Sequence, residues 1–465
     1  MEPGELFALE IGSVAAGGAC VARAPDGRVV FVRHCLPGER VRARVTSTGS
    51  RYARADAVEV LEASPERVAA PCEHAGPGRC GGCDWQHASL AAQRAMKAEL
   101  VSQALAQLAG VRVAVEVEAV GSADGLGWRS RVRFTAARSG RLGLHRHRSD
   151  EVEVVAACPI AAPAVESIGV ERHRWQGAAE VEVVASACND GLVMVLPRPG
   201  RSGAGQAGGA AAGARSAAGA RSAAGARAAA GARAAAAGGH VGVGAPAARS
   251  GSWPALEVPI AVGRSEAACH AVELEAGGRR FRVSGGAFWQ VHVEAPDVLL
   301  AAVLGALEPV PGERVVDLHA GVGLFAVHLA DAVGPAGSVI AVERHPVACA
   351  DAVANGAGLD QLEVRRAVVG PELVAALPAF DLLVLDPPRS GAGTEVVAAL
   401  AGRAHLPRRV AYVACDAPSL ARDLRVLLER GWELTALRAF DLFPMTEHVE
   451  ILAVLEPGPR AAPSH

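Results

Sequence analysis

The sequence predicts a multidomain chain. It has a small N-terminal β-barrel over residues 1–62, a middle α+β domain over 63–280 and a parallel, doubly wound α/β domain over 281–458. Three observations predict it. Residues 5–60 break into short β-rich runs divided by turn residues, at the spacing of a small barrel. A cysteine-rich stretch, "PCEHAGPGRCGGCDW", follows. After about 280, the apolar runs "ERVVDL", "SVIAVER", "DLLVLD" and "RRVAYVAC" alternate with helical ones.

In the first region, "DG" at 26–27 marks a hairpin. Past the cysteines, "SLAAQRAMKAELVSQALAQLA" reads as a helix. From 128, "WRSRVRFTAARSGRLGLHRHRSDEVEVVAACPI" alternates again, with "SG" as its turn. Arg129, Arg131 and Arg133 fall on one strand face, because side chains there repeat every two residues. With Arg141, His145, Arg146, His147 and Arg148 they make the densest basic patch of the ordered chain, readable as a solvated hairpin face or as a contact for RNA. Residues 200–250 carry a six-residue repeat, "GARSAA", with almost no large apolar side chain. Such a segment cannot bury enough surface to offset chain entropy, so a disordered insertion between two strands of the middle domain is expected. The chain closes with "WELTALRAFDLFP" and "EHVEILAVLEP", two strands near enough to form a hairpin.

A length of 465 residues, 51% of them apolar, suits two or three domains with large cores. Outside the Ala/Gly tract no apolar run is long enough to span a membrane. The start, "MEPGELFALEIG", lacks the basic residues and apolar core of a signal peptide, which predicts a cytoplasmic protein with no membrane partner. In that compartment ten cysteines argue for thiol chemistry or metal binding over disulfides. A net charge of −3 gives no global sign of nucleic acid. The 46 basic residues are 45 Arg and Lys97 alone, which reads mainly as drift toward arginine.

"VVDLHAGVGLFAVHLA" is strand, glycine-rich turn and helix. Gly321 and Gly323 let the backbone approach a ligand closely, and Asp317 ends the strand. Glu343, 26 residues after Asp317, ends the next strand, where a carboxylate can accept from both ribose hydroxyls. The third glycine of the dinucleotide fingerprint is missing and a strand hairpin ends the domain, so S-adenosylmethionine fits better than NAD. "VLDPPRSGAG" puts Asp386 at the same sheet edge, as a site residue or as a helix cap. "VAYVACDAPSLARDL" ends a strand on Cys415. A cysteine at that position is either a small core residue or a group in a ligand site. Cys72, Cys80 and Cys83 form C-x7-C-x2-C, with Cys158 beyond the basic hairpin; the spacing alone allows zinc or iron–sulfur. Cys20, Cys35, Cys188, Cys269 and Cys349 lack ligand spacing.

Together, Gln290 in "AFWQVH", the D-P-P-R-x-G loop, Cys415 and "FDLFPMTEHVE" make a chain that resembles the RNA uracil-5-methyltransferase family, and within it the ribosomal RNA members with a TRAM domain and an iron–sulfur cluster. The resemblance covers nearly all of the chain except the Ala/Gly/Arg segment. It implies a TRAM/OB-like barrel, a Rossmann-like class I methyltransferase domain, and RNA, specifically 23S rRNA, as partner. It implies Cys415 as nucleophile and Glu450 as general base, with Gln290, His319, Glu343 and Asp386 on S-adenosylmethionine beside the Gly321 turn. It also favours a [4Fe–4S] cluster on Cys72, Cys80, Cys83 and Cys158. His319 stands where the family usually has an aromatic residue, and Ala320, Ala414, Asp416 and Met445 are further departures.

The expected chemistry is a thiolate adding to carbon 6 of uracil, so that carbon 5 becomes nucleophilic. Asp416, next to Cys415, is expected to point its carboxylate away from the thiol or to hydrogen-bond the base. Glu447, three residues from Glu450, would lie on the opposite face if both were on a strand, and is expected to face solvent. The alternatives are a methyltransferase for tRNA uridine or for cytosine carbon 5, and a non-catalytic RNA-binding scaffold.

Overall fold

The computed structural model describes residues 1–186, 190–198 and 254–459. Strands β1 (Leu6–Ala15), β2 (Ala19–Arg23), β3 (Val29–Arg33), β4 (Arg40–Thr48) and β5 (Tyr52–Glu62) close a barrel in the order β1-β2-β3-β5-β4. In β4 the run "RVRARV" turns Val41, Ala43 and Val45 inward and Arg40, Arg42 and Arg44 outward, the period-two alternation that closure on a small core requires. Cys20 and Cys35 sit in that core.

Helix α1 (Leu90–Ala104) begins at Ser89, whose hydroxyl accepts from the Ala92 amide at 3.1 Å. The short strand β6 (Val117–Ala119) follows. The middle sheet holds β7 (Arg131–Ala136), β8 (Leu142–His145), β9 (Val152–Val154), β10 (Ala178–Ala185), β11 (Gly191–Pro197) and β12 (Ile260–Val262), in the order β12-β11-β10-β7-β8-β9. Short helices α2 (Pro163–Ile168) and α3 (Arg264–Ala267) flank it. The repeat at 200–250 and Cys188 lie outside the described residues, and β11 and β12, on either side of the repeat, are neighbours in this sheet. Much of the basic patch is neutralised here. Arg131 and Arg133 both reach the buried carboxylate of Glu182 on β10, each with its Nε at 2.6 Å, and Arg146 pairs with Glu151 and Glu153. Cross-strand pairing, invisible without the register, makes this hairpin less cationic than its sequence.

A hairpin, β13 (Ala271–Ala276) and β14 (Arg279–Ser284), precedes α4 (Ala295–Leu307). Then come β15 (Arg314–Leu318), α5 (Leu324–Val333), β16 (Ser338–Glu343), α6 (Pro346–Asn355), β17 (Leu362–Arg366), α7 (Pro371–Ala376) and β18 (Leu382–Leu385). After them run α8 (Thr394–Ala401), β19 (Arg409–Ala414), α9 (Ala417–Leu428), β20 (Trp432–Asp441) and β21 (Glu450–Pro457). The sheet order is β17-β16-β15-β18-β19-β21-β20-β6, and β21 runs against its neighbours. The chain reverses its direction across the sheet between β15 and β18, so ligands are expected at the carboxyl ends of those two strands. On α9, Leu420, Leu424 and Leu427 are sealed against the sheet, each contributing roughly 1.5–3 kcal/mol of burial.

Two segments within 63–280 pack against the C-terminal sheet or the helices that cover it. β6 extends its edge, and Phe281 and Val283 of the β13–β14 hairpin join the core of α4 and α5. Position 280/281 falls inside β14, so this unit draws on residues from both sides of it. Lys97 of α1 has 0% exposure; its Nζ donates to Asp441 Oδ1 at 2.5 Å and to the Phe443 carbonyl at 3.0 Å. A buried pair of this kind is held by geometry, since removing one partner strands the other charge away from water. The chain's single lysine thus fixes α1 to the end of β20.

Candidate active site

Asp317, at 0% exposure on β15, has neither carboxylate oxygen hydrogen-bonded to another side chain or to backbone at normal geometry. Burial, followed by the charge of Asp386, pushes its carboxyl up to about 8. The chain leaves β15 through His319, a non-glycine residue with φ 68°, and Gly321 and Gly323, with φ 56° and 92°. No side chain or backbone lies within 4 Å of where a Cβ on Gly321 would stand, so the turn leaves room for a ligand. Glu343 supports it: one carboxylate oxygen accepts from the Gly321 amide at 3.1 Å and the other from the His345 amide at 2.7 Å. His319 Nε2 is buried without a partner, and burial lowers that ring's pKa, so it stays neutral.

An orphaned buried carboxyl suits the ammonium of S-adenosylmethionine, the carboxylate at the next strand end its ribose hydroxyls, and the open glycine turn leaves room for it to lie between them. The sequence noted Asp317 only as the end of a strand. An acid held above its ordinary 3.8 loses protons less readily when folded, so the folded state loses stability as pH rises from about 4 toward about 8. In Asp317→Asn that loss should be shallower, and affinity for S-adenosylhomocysteine should fall roughly 10- to 100-fold. Thermal unfolding across pH and calorimetric titration would check both. An unchanged slope with unchanged affinity would remove Asp317 from the site.

Across the switch point, Asp386 follows β18, and its amide donates to the Leu318 carbonyl at 3.3 Å. Burial pushes its carboxyl up to about 7. Cys415 follows β19 and is partly exposed. Burial, and after it the charge of Glu450, pushes its thiol up to about 12, while the guanidinium of Arg389 opposes that shift. Glu450, 3% exposed at the start of β21, is driven well above the carboxylate range by burial and then by Asp386, again opposed by Arg389. Arg389 Nη2 donates to His448 Nε2 at 3.2 Å, and burial, then the Arg389 charge, brings that imidazole down to about 4, leaving it neutral. The structure therefore places Asp386, Cys415 and Glu450 within electrostatic reach of one another. It adds Arg389 and His448, which the sequence quoted but gave no role.

Helix α9 fixes this group. Asp416 caps the helix, its carboxylate accepting from the Ser419 amide at 2.9 Å, and its charge still adds to the upward shift of the Cys415 thiol. Ser419 Oγ donates to the Arg389 carbonyl at 2.9 Å. The buried Tyr412 hydroxyl donates to Asp423 at 2.7 Å and accepts from the Ala392 amide at 2.9 Å, pinning the loop after Arg389.

One expectation changes. Glu447 is not on a strand, since β21 begins at Glu450, and it does not face solvent. Its carboxylate accepts from the amides of Gly17 and Gly18 in the barrel, at 2.5 and 2.8 Å. Gln290 is buried and lines a small cavity with Ser130, Arg131, Glu182 and Trp289, between the middle sheet and the β13–β14 hairpin.

Cys72, Cys80, Cys83 and Cys158 are free thiols. They lie close enough to affect one another: Cys83 feels Cys158 and Cys80, and Cys158 feels Cys80 and Cys72. Burial pushes Cys83 up to about 12 and raises Cys80 and Cys158. Among the described residues, however, no three His, Cys, Asp or Glu side chains stand at metal-ligand geometry. Nor is any helix among them long and apolar enough to cross a membrane.

The model of the TRAM domain matches residues 2–58. Over 480 residues the chain is 40% identical to a Streptomyces avermitilis protein called "Uncharacterized RNA methyltransferase", covering 98% of this chain and 99% of that one. It is 32% identical over 451 residues to the Thiobacillus denitrificans 23S rRNA (uracil(1939)-C(5))-methyltransferase RlmD, covering 93% of this chain and 95% of that protein. In fold it is similar to the crystal structure of Pyrococcus abyssi tRNA (uracil-54, C5)-methyltransferase in complex with S-adenosyl-L-homocysteine. There the TM-score is 0.63 at 18% identity, over 97% of this chain and 100% of that one.

Proposed function

From the premise that this chain belongs to the RNA uracil-5-methyltransferase family, we propose that it methylates carbon 5 of a uridine in RNA, with 23S rRNA as the substrate, through a transient bond between Cys415 and the ring. The observation that carries this reading is the meeting of a thiol, two high-pKa carboxyls and one guanidinium beside the orphaned acid at the switch point. The choice of 23S rRNA rests on the likeness to the Thiobacillus protein.

S-adenosylmethionine, when bound, supplies the methyl group. Asp317 would hold its ammonium, Glu343 its ribose hydroxyls, and neutral His319 would cover the adenine side. The target base has to leave its stack to reach Cys415, and the barrel would grip the flanking backbone with an affinity that falls as salt rises. Cys415 rests as a thiol, so its proton must leave as sulfur bonds to carbon 6. Asp386, with a carboxyl at about 7, is partly ionised at neutrality and takes it. The ring becomes an enolate, and carbon 5 takes the methyl group. Glu450, a strong proton acceptor once ionised beside Arg389, then removes the carbon-5 proton. The carbon–sulfur bond breaks, the double bond returns, and the departing Cys415 sulfur takes back the proton held by Asp386.

RNA in which 5-fluorouridine replaces uridine tests this reading. The ring loses the proton that Glu450 would remove, so a covalent protein–RNA band should persist on a denaturing gel. No band, with S-adenosylhomocysteine still bound normally, would overturn the uracil reading.

The four clustered thiols would hold a [4Fe–4S] cluster, a cross-link between the cysteine-rich segment and the "ACPI" turn at Cys158. Four thiols from two segments suit iron–sulfur or zinc ligation, and a metal would offset the cost of burying them as thiolates. Anaerobically purified protein should be brown, with about four irons per chain. A colourless protein carrying zinc would refute the cluster.

A further inference from the structure

We propose that Glu447 is a positioning residue for methyl transfer, fastening the loop that delivers Glu450 to the β1–β2 turn of the N-terminal barrel. The inference rests on the reading of Glu450 as the group that removes the carbon-5 proton.

The loop between β20 and β21 has no regular structure of its own over residues 442–449. Met445 within it has φ 70°, a left-handed conformation that a side-chain-bearing residue adopts only where its surroundings impose it. The loop's shape is therefore set by what it touches. Glu447 Oε2 accepts from the Gly17 and Gly18 amides at 2.5 and 2.8 Å. Those glycines have φ 87° and 67°, and in this turn both N–H groups meet the same carboxylate oxygen, a cradle for an anion. The cradle is built for glycine: a Cβ on Gly18 would lie 2.6 Å from Asp84 side-chain carbons.

A second set of bonds holds the same junction. The Met445 carbonyl accepts from the Asp84 and Trp85 amides at 2.9 and 3.0 Å, and Trp85 Nε1 donates to the Gly18 carbonyl at 3.2 Å. Three residues separate Glu447 from Glu450, at most about 10 Å of chain, so slack at one end moves the other. The barrel, far away in sequence, thus sets where the proton acceptor stands.

The test uses the full-length enzyme and ordinary uridine RNA. In Glu447→Ala, kcat should fall roughly 10- to 100-fold while KM for RNA stays within about twofold, as expected for a displaced catalytic group. Slow proton removal should also make the methylated Cys415–RNA adduct build up during turnover. Gly17→Ala strains the same cradle from the barrel side, where a Cβ meets nothing, and should reproduce the effect. Glu447→Gln, which keeps one acceptor oxygen, should recover part of the rate. Glu450→Gln is measured in parallel. If Glu450→Gln accumulates adduct and neither Glu447→Ala nor Gly17→Ala does, the positioning role is overturned. Equal losses of activity, RNA affinity and adduct in the latter two would also overturn it, as general unfolding. If Glu450→Gln itself accumulates no adduct, the reading beneath the inference fails instead.

Discussion

Replacing Cys415 with alanine should abolish methyl transfer, lowering turnover by roughly 10,000-fold or more, because no other group in the site can bond to carbon 6. The side chain is only partly buried at the end of β19, so its loss leaves no large cavity and the variant should fold. S-adenosylhomocysteine should bind as before, since the groups that would hold it sit on β15 and β16. Methyl incorporation into RNA and the 5-fluorouridine band should disappear together. Undiminished turnover in this variant would end the covalent mechanism. Loss of turnover with the fluorinated adduct retained would move the nucleophile elsewhere.

Glu450→Gln should separate bond formation from bond breakage. The substitution preserves shape in a fully packed position, and so spares the fold, but an amide cannot take a proton from carbon 5. Turnover should fall roughly 100- to 10,000-fold, the range for a lost general base. Unmodified RNA should now be trapped as a methylated covalent complex, visible by gel shift under denaturing conditions. The wild-type rate should climb as pH rises beyond the ordinary carboxylate range, because burial keeps this carboxyl protonated and only its ionised form accepts. Glu450→Gln should lose that dependence. A variant that turns over freely without trapping RNA would assign the proton to another group, with Asp386 the nearest candidate.

Most of the site could be read from strand ends. In a doubly wound sheet the carboxyl ends of the strands converge whatever their loops do. Asp317, Glu343, Asp386 and Cys415 each end an apolar run, so their meeting follows from the alternation of strands and helices. Glu450 needed the resemblance, because it opens the antiparallel β21 and nothing in the period of "EHVEILAVLEP" separates it from Glu447. Reading that segment as one strand put Glu447 on a solvent face. The strand in fact starts three residues later, and the left-handed Met445 turns the loop back toward the barrel. Glu182 was hidden for a similar reason: its pairing with Arg131 and Arg133 depends on the β7–β10 register, which joins residues about 50 apart. The placement of β6 on the C-terminal sheet and of the β13–β14 hairpin on α4 and α6 is likewise long-range. Local periodicity sees the strand and not its partner.

The sealing of Lys97 against Asp441 has a practical consequence. A lysine-specific protease has one bond to cut in this sequence, after Lys97, and in the native state that bond lies inside a helix whose lysine has 0% exposure. Cleavage requires α1 to detach from the end of β20. The appearance of two fragments, timed against protease concentration, would therefore report the opening free energy of that one joint without any label or engineered site.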